Sequence, residues 1–174
     1  MAQVLVLMSS PRKHGNTDRL ANAFIKGVEE NGYSTEKIYV NYQNIKPCLG
    51  CNVCQKTNQC VQKDDMQDIY KKMLEAKVIV FASPVYFYTF NASMKLLLDR
   101  TFAIEKTIHD KDFYLLSTGL APDESYFRMP DLPTPDSNGS APIFAKYVTY
   151  NKRKDTFSNI KNTFDSYRNF FNFF

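Results

Sequence analysis

Val4–Thr17 reads VLVLMSSPRKHGNT, and this stretch decides the fold. Five apolar residues run without polar alternation, as in a strand buried on both faces, and give way at Ser9 to small polar residues. A periodic stripe of Leu20, Ala21, Phe24, Ile25 and Val28 follows, which predicts a helix over 17–31 with Gly32 as its stop. Outward from there the same alternation repeats. A short strand is expected over 36–41, a helix capped by Asp64 or Asp65 with Met66, Ile69, Tyr70, Met73 and Leu74 inward, and a buried strand over 78–82. A helix over 94–102 with Met94, Leu97, Leu98 and Thr101 or Phe102 inward and a fourth strand over 113–117 complete the pattern. Strands spaced by crossover helices form a parallel sheet with helices on both faces, so the expected class is doubly wound α/β with strand order 2-1-3-4.

With 174 residues, 44% of them hydrophobic, the chain is long enough for one sizeable core, and one domain over 1–174 is expected. The net charge of +4 is spread out except at Lys152-Arg153-Lys154, which reads as a solvated face, so no nucleic-acid partner is expected. MAQVLVLMSSPRK does not read as a signal peptide and no segment resembles a membrane span, so a reducing cytoplasm is the expected location. Two connections are longer than a compact domain needs: 42–63, which holds every cysteine, and the proline-rich, irregular 119–155. Beyond them Phe157, Ile160, Phe164, Tyr167, Phe171 and Phe174 recur at helical spacing. For a fifth strand there are two readings: Ile143–Tyr150 fills the sheet edge, or the strand is missing and a partner subunit covers the face it leaves.

The loop after the first strand joins a helix N-terminus, where unpaired N–H groups and the positive end of the macrodipole suit a phosphate. Ser9, Ser10 and Thr17 supply hydroxyls, Asn16 an amide and Arg12 a charged fork, while Gly15 allows close backbone approach. The spacing matches neither G-x-x-x-x-G-K-[ST] nor G-x-G-x-x-G, which favours a single terminal phosphate, as in FMN, over an NTP or a dinucleotide. The plainer reading is a turn followed by a cap. His14 is read as solvent-exposed. The third strand runs into Ser83-Pro84-Val85-Tyr86-Phe87-Tyr88, on the strand-end rim where ligands of such sheets bind, and Pro84, Val85, Tyr86 and Phe87 can wall a flat ring. These aromatics equally suit a packed strand end. Thr118 and Gly119 close the fourth strand on the same rim.

Cys48, Cys51, Cys54 and Cys60 stand at C-x2-C-x2-C-x5-C. Three closely repeated thiols with a fourth nearby are more typical of a [4Fe-4S] cluster than of zinc, whose ligands usually come as two separated pairs. Reduced thiols without metal, zinc and a disulfide all remain open on spacing alone.

Taken together, SSPRKHGNT, SPVYFYTFNASMKLLLDR and CLGCNVCQKTNQCVQKDDM, in that fold order, resemble the FMN-dependent NAD(P)H oxidoreductases of the flavodoxin-like superfamily. The cysteine piece resembles their iron-sulfur flavoprotein branch. The resemblance implies FMN held by Ser9, Arg12, Asn16 and Thr17 at the phosphate and by Pro84–Phe87 at the ring, and Cys48, Cys51, Cys54 and Cys60 as ligands of a [4Fe-4S] cluster. It implies hydride transfer from NAD(P)H to the flavin and electron delivery to the cluster or to a small-molecule or protein acceptor such as a quinone, in a homodimer or homotetramer. No acid-base residue is assigned, since hydride transfer needs none. The rivals are a flavodoxin-type FMN carrier reduced by a partner protein, which the basic charge disfavours, and a redox sensor without a cluster.

Overall fold

The computed structural model describes residues 3–87 and 89–119 and the backbone of Ala145–Asn151. Along the chain come β1 (Val4–Met8), α1 (Asn16–Glu30), β2 (Thr35–Tyr39), a 3-10 turn at Val40–Tyr42, and the short α2 (Val53–Thr57). Next are α3 (Met66–Glu75), β3 (Val78–Tyr86), the two-residue β4 (Thr89–Phe90), α4 (Ala92–Thr101), a 3-10 turn at Phe102–Ile104, β5 (Asp112–Gly119) and β6 (Ala145–Asn151). The long strands pair in parallel in the order β2-β1-β3-β5-β6, and β4 folds back antiparallel on the end of β3. The expected order therefore stands with β5 as its fourth member. Ala145–Asn151 fills the edge beside Phe113–Gly119, so part of the segment read as irregular is strand and the fifth strand is present. Tyr88, the rest of the proline-rich connection and the aromatic repeat from Phe157 to Phe174 lie outside the described residues.

Successive residues of a strand point to opposite faces, and β1 is buried on both. Val4, Val6 and Met8 join Val80, Ala82, Tyr114 and Leu116 under Leu20, Ala21, Phe24 and Val28 of α1. Leu5 and Leu7 join Ile79, Phe81, Phe113 and Leu115 against α3 and α4 on the other face. Each such aliphatic or aromatic side chain contributes about 1.5–3 kcal/mol by leaving water. The stop of α1 is a Schellman turn, with Gly32 at φ 82° donating to Glu29 O and Tyr33 donating to Val28 O.

Two helix faces differ from their periodic reading. Leu74 is exposed, while Arg100 is 1% exposed and Phe102 is 41% exposed. Arg100 follows Met94 and Leu97 at steps of three, so helix phase turns it inward once a buried partner receives it.

The carboxyl ends of β1, β3 and β5 lie side by side, with Met8 beside Ala82 and Pro84 beside Thr118. The chain leaves β1 for β2 on one side and returns to β3 on the other, and this reversal opens a crevice above the strand ends.

Candidate functional site

The loop above β1 is wound tightly and anchored from beneath. Ser9 N–H donates to Ala82 O at 2.9 Å, and the Ser9 hydroxyl points to the same oxygen at 3.3 Å. Ser10 Oγ accepts from Arg12 N–H at 3.2 Å, and Gly15 N–H donates to Arg12 O at 3.2 Å. A Cβ on Gly15 would stand 3.1 Å from that oxygen, so the turn has little room for a side chain there. His14 adopts φ 61°, and its N–H donates to Asp18 Oδ2 at 2.8 Å. The α1 helix then opens at Asn16 with no side chain among the described residues capping it, so its first-turn N–H groups suit an acceptor from outside the helix. Thr17 Oγ1 meets Thr118 Oγ1 at 2.6 Å and ties this turn to β5. The hydroxyls of Ser9 and Thr17 are thus turned to protein partners, while Arg12 and Asn16 are exposed.

Beneath the loop lies a charged group that the periodic reading passed over. Asp18 is fully buried and accepts from Lys37 Nζ at 3.0 Å and Tyr39 OH at 2.9 Å as well as from His14. Burial works to raise its pKa, but the His14 N–H, Lys37 and Tyr39 outweigh it and hold the carboxyl below the usual range. Lys37 is likewise pulled down by burial and raised on balance by Tyr39 and Asp18. An acid in the first turn of a helix looks ordinary. Only the register that sets Lys37 beside Val6 and Tyr39 beside Met8 shows where it is aimed.

On the other side of the crevice Pro84 is buried, Val85 half-buried, Tyr86 42% exposed and Phe87 93% exposed at φ 48°. The β4 hairpin returns the chain to Asn91, a residue with three tasks. Its Oδ1 accepts Met94 N–H at 3.1 Å and caps α4, its Nδ2 donates to Ser9 O at 2.6 Å, and its own N–H donates to Ser83 Oγ at 3.3 Å. Asn91 thereby fixes the two loops to each other. Ser9, Ser10, Arg12, Gly15, Asn16 and Thr17, the Pro84–Phe87 loop, and Thr118 and Gly119 all lie on this one rim. An uncapped helix start beside exposed aromatic rings suits a flat ligand carrying one anionic end.

The cysteine loop leaves from the same rim and settles elsewhere. All four thiols are free and line one concavity with Leu49, Val61, Arg100 and Phe102. Cys48 and Cys51 are exposed, whereas Cys54 and Cys60 pack partly against the core. Arg100 closes the two ends of the loop. Its Nη1 donates to Lys46 O at 2.7 Å and to Asp64 Oδ2 at 2.6 Å, and its Nη2 donates to Asp64 Oδ1 at 3.1 Å and to Cys60 Sγ at 3.4 Å. Asp64 also accepts the N–H groups of Lys46 and Met66. Burial raises the Asp64 pKa, and the Arg100 and Lys46 contacts more than reverse this. Arg100 lies nine residues along α4 from its Asn91 cap, about 14 Å of helix, so its sulfur partner Cys60 stands toward the other end of α4 from the Asn91–Ser9 contact. Among the described residues no three His, Cys, Asp or Glu converge to hold a single metal ion. Four free thiols around one opening are the donor set that a [4Fe-4S] cluster would take, each sulfur on its own iron.

Comparison with known proteins agrees with this arrangement. Residues 2–125 match the family model described as NADPH-dependent FMN reductase. An iron-sulfur flavoprotein of Methanocaldococcus jannaschii is 39% identical over 99 residues, 57% of this chain and 51% of that protein. One from Archaeoglobus fulgidus is 36% identical over 94 residues, 54% of this chain and 43% of that protein. The chain spans about half the length of these curated relatives. The NAD(P)H:quinone oxidoreductase from Methanothermobacter marburgensis shares the fold, with a TM-score of 0.67 at 13% identity over 92% of this chain and 89% of that one. The family match takes in β1 to β5, the whole crevice and the cysteine loop, and the chain belongs to the NADPH-dependent FMN reductase family.

Proposed function

We propose that this protein is an FMN-dependent NAD(P)H oxidoreductase of the iron-sulfur flavoprotein kind, with FMN in the crevice and a [4Fe-4S] cluster held by Cys48, Cys51, Cys54 and Cys60. One observation carries the flavin placement: the start of α1, with no side-chain cap among the described residues, and the exposed Tyr86 and Phe87 follow adjacent strand ends on one rim, joined through Asn91. When bound, the flavin accepts hydride from reduced nicotinamide and releases electrons singly or in pairs.

The chain's part is to bind and orient. The first-turn amides of α1, Arg12 and Asn16 take the phosphate, with Ser9, Ser10 and Thr17 shaping the cradle from below. Pro84, Val85, Tyr86 and Phe87 flank the ring, and Thr118 and Gly119 border it from β5. Gly15 keeps the turn close. No side chain is assigned a proton transfer.

The offset of Cys60 along α4 from the Asn91 cap favours electron passage between copies in a homo-oligomer. Leu49 and Val61 are 69% and 52% exposed around the cysteines, apolar surface that a second copy would cover. No helix among the described residues is long and apolar enough to cross a membrane.

The test is anaerobic mixing of the purified protein with NADH or NADPH. Bleaching of the flavin band is expected. A flavin band that persists makes the protein a carrier reduced by a partner, and a colourless protein that refuses added FMN removes the assignment. Iron and sulfide assays on protein purified without oxygen decide between the cluster, zinc and bare thiols.

A further inference from the structure

We propose that Arg100 tunes the cysteine site: the guanidinium that closes the loop through Asp64 also donates to Cys60 Sγ, and so raises the reduction potential of the cluster that Cys60 ligates. This rests on the cluster reading given above. The starting observation is cost. Arg100 and Asp64 side chains are 1% and 0% exposed, and a buried ion pair is often no more stabilising than apolar residues of the same volume. A reason beyond stability is therefore wanted for keeping one beside the sulfurs.

The allocation of donors supplies it. Arg100 has five N–H groups, and those on Nη1 and Nη2 reach Lys46 O, both oxygens of Asp64 and Cys60 Sγ. Nε is buried with no hydrogen-bond partner among the described residues. The group thus leaves one donor unsatisfied while turning another toward sulfur, a weak acceptor as a thiol and a stronger one as a metal-bound thiolate.

A hydrogen bond to a ligand sulfur and a nearby positive charge both favour the more negative, reduced cluster, and these are among the levers that set iron-sulfur potentials. Asp64, which shares Nη2 of the same guanidinium with Cys60, carries the opposite charge. Removing either end of the pair should therefore move the potential in opposite directions, whereas a merely structural pair would show only a shared loss of stability.

The experiment uses intact holoprotein purified without oxygen, with iron and sulfide assayed, the cluster midpoint followed by EPR during reductive titration, and thermal unfolding beside it. Arg100→Gln is expected to lower the potential enough to change the oxidised-to-reduced ratio tenfold at fixed poise, about 59 mV for one electron. Asp64→Asn is expected to raise it, and Arg100→Lys, which keeps the charge, to restore most of the difference. Both R100Q and D64N should melt earlier. If R100Q does not fold, the D64N/R100Q double variant serves, and its potential should fall below that of D64N alone. Shifts of the same sign in R100Q and D64N, or a double variant matching D64N, overturn the proposal and leave the cluster reading intact. A wild-type protein without iron and sulfide removes both.

Discussion

The loop above β1 and the cysteine loop leave the same edge of the sheet and are built on opposite plans. The first is short and held along its length: Ser9 to Ala82, Asn91 to Ser9, His14 to Asp18, Thr17 to Thr118. The second is long and held at intervals, by Arg100 and Asp64 across Lys46 and Cys60, by Gln62 to Pro47 O, and at its middle by Gln55 to Phe102 O and Lys106 to Gln55 O. Between these points it turns through left-handed residues at Gly50, Asn52 and Asn58, with Cys48 and Cys51 at the surface. The turn after β1 is thus fixed by bonds to three strands and a helix cap, whereas two of the four thiols stand in solvent on a loop with wider gaps between its anchors.

The largest effect that tests this separation is expected from Cys51→Ser. Iron and sulfide should fall close to zero while the flavin absorbance per chain stays at the wild-type level. Flavin lost together with iron would show that the two loops form one unit.

Next comes Asp18→Ala, which strands Lys37 and frees His14 N–H. Leaving a largely buried charge without its partner costs about 3 kcal/mol, a fall of roughly 6–12 °C in Tm for a chain of this size. FMN binding should weaken at least tenfold with iron content unchanged, read by calorimetric titration of FMN and by iron assay. Unchanged FMN affinity would mean that the cradle does not depend on its buried support.

Smaller still is the Thr17–Thr118 contact. Thr17→Val or Thr118→Val leaves one buried hydroxyl unpaired, at about 1–2 kcal/mol each, and the double variant should cost less than the sum of the two. Additive losses in denaturant unfolding would show that the two hydroxyls act apart.

The least change is expected from pH across the neutral range. Asp18 has a lowered pKa, so its stabilisation is fully present above the ordinary 3.8 and is lost as pH falls through the folded value. Lys37 has a raised pKa, so its contribution is fully present below the ordinary 10.5 and is lost as pH rises through the folded value. FMN affinity should be flat from about pH 5 to 9 on account of this pair and should decline in acid. A step near neutrality would point to a different group under the loop.

Much of the scaffold was legible because apolar periodicity is local. Val4–Met8, the stripe of α1 and the run from Val78 announce burial by their own spacing, and the order of strands follows from crossover rules. The rim residues were legible by type and by their place after strands. Their roles were less so: Ser9 and Thr17 looked like phosphate donors, and their hydroxyls face Ala82 and Thr118. Asp18, Asn91 and Arg100 were passed over because each resembles an ordinary helix-surface or turn residue until its distant partner is known. The small β4 hairpin was hidden for a similar reason, since two residues carry no period.

The alternation of strands and helices, the hydroxyl- and amide-rich turn after β1 and the gathering of four thiols in one loop were readable along the chain, since each is a property of neighbouring residues. Which buried charge meets which took the closed fold to settle, as with Arg100, 36 residues from Asp64 and 40 from Cys60. The fold likewise sets Cys60 by the C-terminal end of α4, whose N-terminal cap Asn91 holds Ser9. Such pairings depend on segments that meet only when the sheet has closed, and no local pattern encodes them.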